Sequence, residues 1–249
     1  MLAICSKFVI NRCYSYLLCS KFVINMSYDL RFKAPFSLIL SGVSGSGKTT
    51  WVENLFKNYN NIIDDGRQYP NLMWISGTKQ PELFERIKKS FVGNCRFITE
   101  LPENLYEEIE RSDKRLTIVV DDLMHEIANF KDLGKLFTKG RSHLNINVIV
   151  MMQNPFPRGT EMRNLALNTQ YQVLFKNPRD RSQIRFLARQ IMPASPKTFL
   201  DIYNDATARM YGYLLCDFTQ SMNEDMRFRT NIFPHEAPMA VYKSKKGYK

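Results

Sequence analysis

The feature that most limits what this chain can fold into is the run Gly42-Val43-Ser44-Gly45-Ser46-Gly47-Lys48-Thr49, followed by Thr50. Its spacing is G-x-x-x-x-G-K-[ST], and it lies between a short buried-strand pattern at 36–40 and a helical pattern from 48 to 58. A strand–loop–helix setting is what gives this spacing its chemical meaning. Glycines let successive backbone N–H groups turn inward and wrap phosphate oxygens, and the helix that starts at Lys48 adds its positive N-terminal end. In such a loop the lysine reaches the β- and γ-phosphates, and the following hydroxyl, here Thr49, ligates magnesium. Gly42 to Thr50 is therefore the candidate ATP-binding segment, with Mg2+ expected at Thr49.

The rest of the chain alternates strands and helices. Residues 72–75, 96–98, 116–120 and 146–151 read as strands, and 171–175 and 212–218 as two more. Trp51, Leu55 and Phe56 are the expected inward face of the first helix. Pro81 suits the first turn of a helix running through 87, and an acidic-led helix is expected at 103–111. This alternation predicts an α/β fold: a P-loop NTPase of the additional-strand, RecA-like type, with a mainly parallel central sheet covered on both faces. Ligands in such folds bind beyond the carboxyl ends of the strands. The glycine-rich loop, the pair Asp121-Asp122 and the pair Gln153-Asn154 all fall at such ends.

These polar ends supply the remaining candidates. Asp121 is placed to hold magnesium, directly or through water, as a Walker B aspartate does. Asp122 is the candidate general base, with Glu126 one turn further on in reserve. Gln153 suits a sensor that touches the γ-phosphate or the attacking water, since glutamine orients water in other nucleotide hydrolases. Lys139, Arg141 and His143 form a basic cluster, in which Arg141 is the candidate arginine finger and Arg163 the second choice. Arg181, Arg185 and Arg189 share a helical face and, with Lys176 and Arg179, could meet DNA phosphates or another subunit.

With 249 residues, 44% of them hydrophobic and 24% charged, the chain has globular composition and room for one α/β domain of ordinary size. Its formal net charge of +11 suggests a polyanionic partner. Five cysteines without C-x-x-C pairs read as unpaired thiols in an intracellular, non-secreted protein. The apolar runs are too short for a transmembrane helix, and no membrane partner is expected.

The segment Cys-Ser-Lys-Phe-Val-Ile-Asn occurs twice, at 5–11 and 19–25. The repeat is too short for a solenoid unit. Met26 opens a second sensible frame, so residues 1–28 read as a disordered extension or a start-site artefact. The ATPase domain is expected over 29–235, and a basic tail over 236–249.

Several further blocks occur in a telling order: Asp121-Asp122-Leu123-Met124, Leu136-Phe137-Thr138-Lys139-Gly140, Gln153-Asn154-Pro155-Phe156, Phe175-Lys176-Asn177-Pro178-Arg179-Asp180 and Leu187-Ala188-Arg189-Gln190. Over residues 29–233 the chain resembles the genome-packaging ATPases of Polinton/Maverick elements and adintovirus-like DNA viruses, within the FtsK/HerA superfamily that also holds the poxvirus packaging ATPases. The resemblance implies a ring homo-oligomer, hexamer or pentamer, that threads double-stranded DNA into a capsid using ATP, with capsid proteins as further partners. Where relatives often carry a serine and two histidines, this chain has Gly140-Arg141-Ser142-His143. Two other readings share the loop: a small nucleotide or nucleoside kinase, and a DNA-binding protein with a vestigial nucleotide site. The first lacks an acceptor-binding pattern, and intact Lys48, Thr49, Asp121 and Asp122 speak against the second.

Overall fold

The computed structural model describes residues 6–11, 16–19, 22–25, 29–64, 69–100, 102, 104–111, 115–121, 136–137, 143–154 and 165–243. Backbone packing divides the chain into two compact units, Arg31–Gln172 and the discontinuous pair Met1–Leu30 with Val173–Lys249. The discontinuous unit opens with β1 (Ser6–Asn11), β2 (Tyr16–Cys19) and β3 (Phe22–Asn25), joined antiparallel in the order β3-β2-β1. This departs from the expected disordered extension. Both copies of the repeat contain Phe-Val-Ile, a run that favours extended backbone, and strand pairing satisfies the N–H and C=O groups that such a run exposes.

The continuous unit carries the glycine-rich loop. Its elements are β4 (Phe32–Lys33), β5 (Ser37–Ser41), α1 (Lys48–Lys57), α2 (Tyr59–Ile62), β6 (Ile63–Asp64), β7 (Asn71–Ser76), α3 (Pro81–Ser90), β8 (Asn94–Ile98), α4 (Leu105–Glu110), β9 (Leu116–Asp121) and β10 (Asn147–Met152). Five strands form a parallel sheet in the order β5-β10-β9-β7-β8. Every residue of β5, β9 and β10 is buried, as strands covered on both faces must be. One core cluster gathers Ile39, Ile75, Ile118, Val120, Val148 and Val150 of the sheet with Leu105 and Ile109 of α4.

The decisive feature is the place of β10, which is inserted between β5 and β9. Fully buried Asn147 holds it there. The Asn147 side-chain oxygen accepts from the Phe36 N–H at 3.1 Å, and its amide donates to Thr117 Oγ1 at 3.2 Å. Helices α1 and α3 are joined through buried Glu53, whose carboxylate meets Lys57 at 2.7 Å and Arg86 at 3.3 Å.

Beyond β11 (Tyr171–Phe175), which straddles the division, the discontinuous unit holds α5 (Arg181–Ile191), α6 (Pro196–Ala206), β12 (Tyr213–Asp217), β13 (Phe228–Thr230) and β14 (Met239–Lys243). Strands β12, β13, β14 and β1 pair antiparallel in that order. The expected tail over 236–249 thus contains a strand, Met239–Lys243. Ala240, Val241 and Tyr242 are buried, and the Tyr242 hydroxyl donates to Asp205 at 2.5 Å, so apolar burial outweighs the local basic charge. Inside this unit Arg229 and Asp217, both almost fully buried, form an ion pair at 2.6 Å.

Candidate nucleotide-binding site

The loop grows out of β5 and is shaped by backbone conformation. Gly45 has φ 75° and Gly47 φ 101°, both in the left-handed region that glycine enters at little cost. A side chain at 45 would meet no atom within 4 Å, so conformation and not space demands glycine there. Ser46 N–H donates to the Val43 carbonyl at 3.1 Å and tightens the turn. Trp51 N–H donates to the Gly47 carbonyl at 2.9 Å and begins α1, which is anchored by buried Trp51, Val52, Leu55 and Phe56.

The Lys48 ammonium folds back over this turn, donating to the carbonyls of Gly42 at 2.6 Å and Val43 at 3.1 Å. The loop is fastened to the sheet at its first residue, where buried Gly42 N–H donates to the Met152 carbonyl of β10 at 3.1 Å. Among the described residues, Ser41 Oγ and Ser46 Oγ are buried without a hydrogen-bond partner, one just before the loop and one within it. Buried hydroxyls in that state are costly unless a polar group meets them. Backbone N–H groups of a left-handed turn, an ammonium and two such hydroxyls together fit a polyphosphate.

Register places the other candidates along the same end of the sheet. Met152 lies beside Ser41, Met151 beside Asp121, and Ser76 beside Asp121. Asp121 is 7% exposed and ends β9, two strands from Ser41, about 10 Å at the usual inter-strand spacing. Gln153 follows β10 directly and is exposed, on the strand between those of the loop and of Asp121. Thr49 is half-buried in the first turn of α1 and Thr50 is exposed. The Thr49 hydroxyl and the Asp121 carboxylate are hard oxygen donors of the kind Mg2+ takes alongside substrate phosphates.

Asp122, Glu126 and Arg141 lie outside the described residues, as do Lys139 and Arg163. Two contributors are not singled out by the sequence reading: the Met152 carbonyl and Ser41. A serine closing the apolar run at 36–40 was a readable signal for the second. Nothing local marks a backbone carbonyl.

Similarity to known proteins agrees with this fold. The NB-ARC domain model matches residues 30–150. The genome-packaging NTPase B204 from Sulfolobus turreted icosahedral virus 2, in complex with sulfate, aligns over 82% of this chain and 96% of that one, with 11% identity and TM-score 0.54. Its complex with ATP-gammaS aligns over 82% and 97%, at 10% identity and TM-score 0.54. B204 described as the DNA-packaging ATPase from Sulfolobus turreted icosahedral virus aligns over 80% and 98%, at 11% identity and TM-score 0.54. No curated protein matches the chain in sequence. At these identities the likeness is one of fold: an α/β P-loop NTPase with a mainly parallel central sheet.

Proposed function

We propose that this chain is an ATP-hydrolysing motor that moves double-stranded DNA, and that it packages a viral or Polinton-like genome into a capsid as a ring of identical subunits, hexamer or pentamer. The observation that carries the hydrolytic part is the insertion of β10 between β5 and β9, which brings Gln153 to the sheet end between the loop and Asp121. The DNA part is supported by the net charge of +11, by the resemblance of the sequence blocks to those of packaging ATPases, and by the likeness in fold to a DNA-packaging ATPase. No helix among the described residues is long and apolar enough to cross a membrane. Its place of action is the host cell, where virions assemble.

Each residue has a defined task in this reading. The loop N–H groups from Gly42 to Thr50 hold the phosphates, and Lys48 exchanges its carbonyl partners for β- and γ-phosphate oxygens. Thr49 and Asp121 would hold Mg2+, whose charge would offset that of the phosphates. Asp122, or Glu126 in its place, accepts the proton of the water whose oxygen forms the new bond to the γ-phosphorus as the bond to ADP breaks. Gln153 orients that water. Arg141 of a neighbouring subunit stabilises the transition-state charge.

The test is ATP hydrolysis by the purified protein with and without long linear duplex DNA. Turnover that rises with DNA is expected. Hydrolysis indifferent to DNA would sink the motor reading, and no hydrolysis at all would sink the enzyme.

A further inference from the structure

The run Asn177-Pro178-Arg179-Asp180 builds a stiff helix start. Buried Asn177 donates its N–H to the Tyr203 hydroxyl at 2.9 Å, and that hydroxyl donates to the Phe175 carbonyl at 2.9 Å. The end of β11, the turn and α6 are thereby tied together. The Asn177 side-chain oxygen accepts from Arg179 N–H and Asp180 N–H, both at 3.1 Å. Asp180 then caps α5, accepting from the N–H groups of Ser182 at 3.0 Å and Gln183 at 3.4 Å, from the Ser182 hydroxyl, and from the Gln183 amide at 2.8 Å. Ile184, Leu187 and Ala188 are buried and set the rotation of α5.

That rotation leaves Arg181, Arg185 and Arg189 exposed, with Lys176 and Arg179 exposed just ahead of the helix. Among the described residues none of these five takes part in an ion pair, whereas Arg86, Arg96 and Arg111 each have a glutamate partner. The one carboxylate between 176 and 191, Asp180, is engaged in capping. Five cations on a preorganised turn and helix, left without counter-charges, require an anionic partner to be more than a solvated face.

We propose that this arginine face grips the phosphate backbone of double-stranded DNA without reading its sequence. The proposal rests on the DNA-motor reading above. Successive arginines four residues apart step about 6 Å along the helix, and a DNA strand carries one phosphate per roughly 3.4 Å of axis, so each guanidinium can meet a different phosphate. The guanidinium fork suits phosphate oxygens in a way a lysine point charge does not.

The experiment compares the parent with R181Q/R185Q/R189Q, all exposed positions, for binding of mixed-sequence duplex DNA across a salt series and for ATPase with and without that DNA. The triple variant is expected to flatten the slope of log affinity against log salt by about 2 to 3 and to weaken binding on the order of tenfold or more. DNA-stimulated turnover should fall, while DNA-free hydrolysis stays as in the parent. R181K/R185K/R189K should keep the slope, and R185Q alone should lower it by about 1, which covers the case where the triple variant folds poorly. If the parent binds DNA and the variants leave slope and affinity unchanged, the arginine face is wrong and the motor reading stands. Loss of self-assembly in DNA-free solution with an unchanged slope also overturns it, assigning the face to a second copy. A parent that binds no duplex at any salt removes both proposals.

Discussion

The backbone N–H of Gly42 donates to the carbonyl of Met152 across 3.1 Å, so the first residue of the phosphate loop hangs from the last residue of the strand that delivers Gln153. Any shift of β10 relative to β5 therefore moves the candidate sensor and the candidate cradle together. The five register pairs between these strands resist such a shift.

Gln153 is exposed, so its replacement should leave folding intact and report on chemistry. Gln153→Ala is expected to lower turnover on the order of tenfold or more while nucleotide affinity changes little. Single-turnover hydrolysis and a nucleotide titration check the two halves. Unaltered turnover would remove the sensor role.

The proposed roles of Lys48 and Asp122 belong to different parts of phosphoryl transfer, so their defects should separate. Lys48→Ala should weaken nucleotide binding and hydrolysis together. Asp122→Asn should spare binding and cut turnover by about a hundredfold or more. Normal hydrolysis in Asp122→Asn would transfer the base role to Glu126, to be probed by Glu126→Gln.

A finger supplied in trans makes catalysis depend on assembly. Such an arginine contributes roughly a thousandfold or more in systems where it operates. Turnover per chain should rise with protein concentration. Arg141→Ala and Lys48→Ala chains, each nearly silent alone, should regain activity when mixed. A co-assembled but inactive mixture would rule out Arg141 and direct testing to Arg163 or Lys139.

Glu53 makes stability depend on acid pH. Burial alone would raise its carboxyl, but the hydrogen bond and charge of Lys57, with Arg86 beside it, outweigh burial and hold it below its ordinary 4.5. Its contribution is then complete above that ordinary value and is lost as pH falls through the lowered one. Both cations are more than half exposed, so Glu53→Gln should cost only about 1 kcal/mol at neutral pH. Urea unfolding at pH 7 and pH 3.5 should show the difference between parent and variant shrinking in acid.

The Arg229–Asp217 pair is almost fully buried, and Arg229 also donates to the Leu30 carbonyl at 2.7 Å. Asp217→Ala leaves a buried guanidinium without its counter-charge and should cost about 3–5 kcal/mol. Replacing both partners with apolar residues, Asp217→Leu with Arg229→Met, should recover much of that loss. Thermal unfolding of the single and double variants decides it.

Local chemistry made one layer of this protein legible in the sequence. A glycine at 45 and another at 47, placed between an apolar run and a helical pattern, permit a left-handed turn at little cost, and the structure has φ 75° and 101° there. The runs at 72–75, 116–120 and 146–151 are recognisable because strands covered on both faces are apolar throughout; in the structure the first is two residues longer (Asn71–Ser76), the second one longer (Leu116–Asp121), and the third equal in length but shifted by one (Asn147–Met152). The arginine spacing from 181 to 189 was readable as one helical face because residues four apart lie on the same side of a helix.

Tertiary structure alone decided which strands are neighbours. Parallel pairing joins residues far apart in the chain, and nothing within 147–152 states that it sits between 37–41 and 116–121; buried Asn147, bonded to both sides, settles that order. The partner of Asp217 was equally hidden, because Arg229 reads as one more basic residue until both are buried. Residues 6–11 and 239–243 read as an extension and a tail because each short strand owes its stability to the strands beside it, β1 to β2 and β14, and β14 to β1 and β13. Neither segment announces those partners by itself, and only the fold brings the two together.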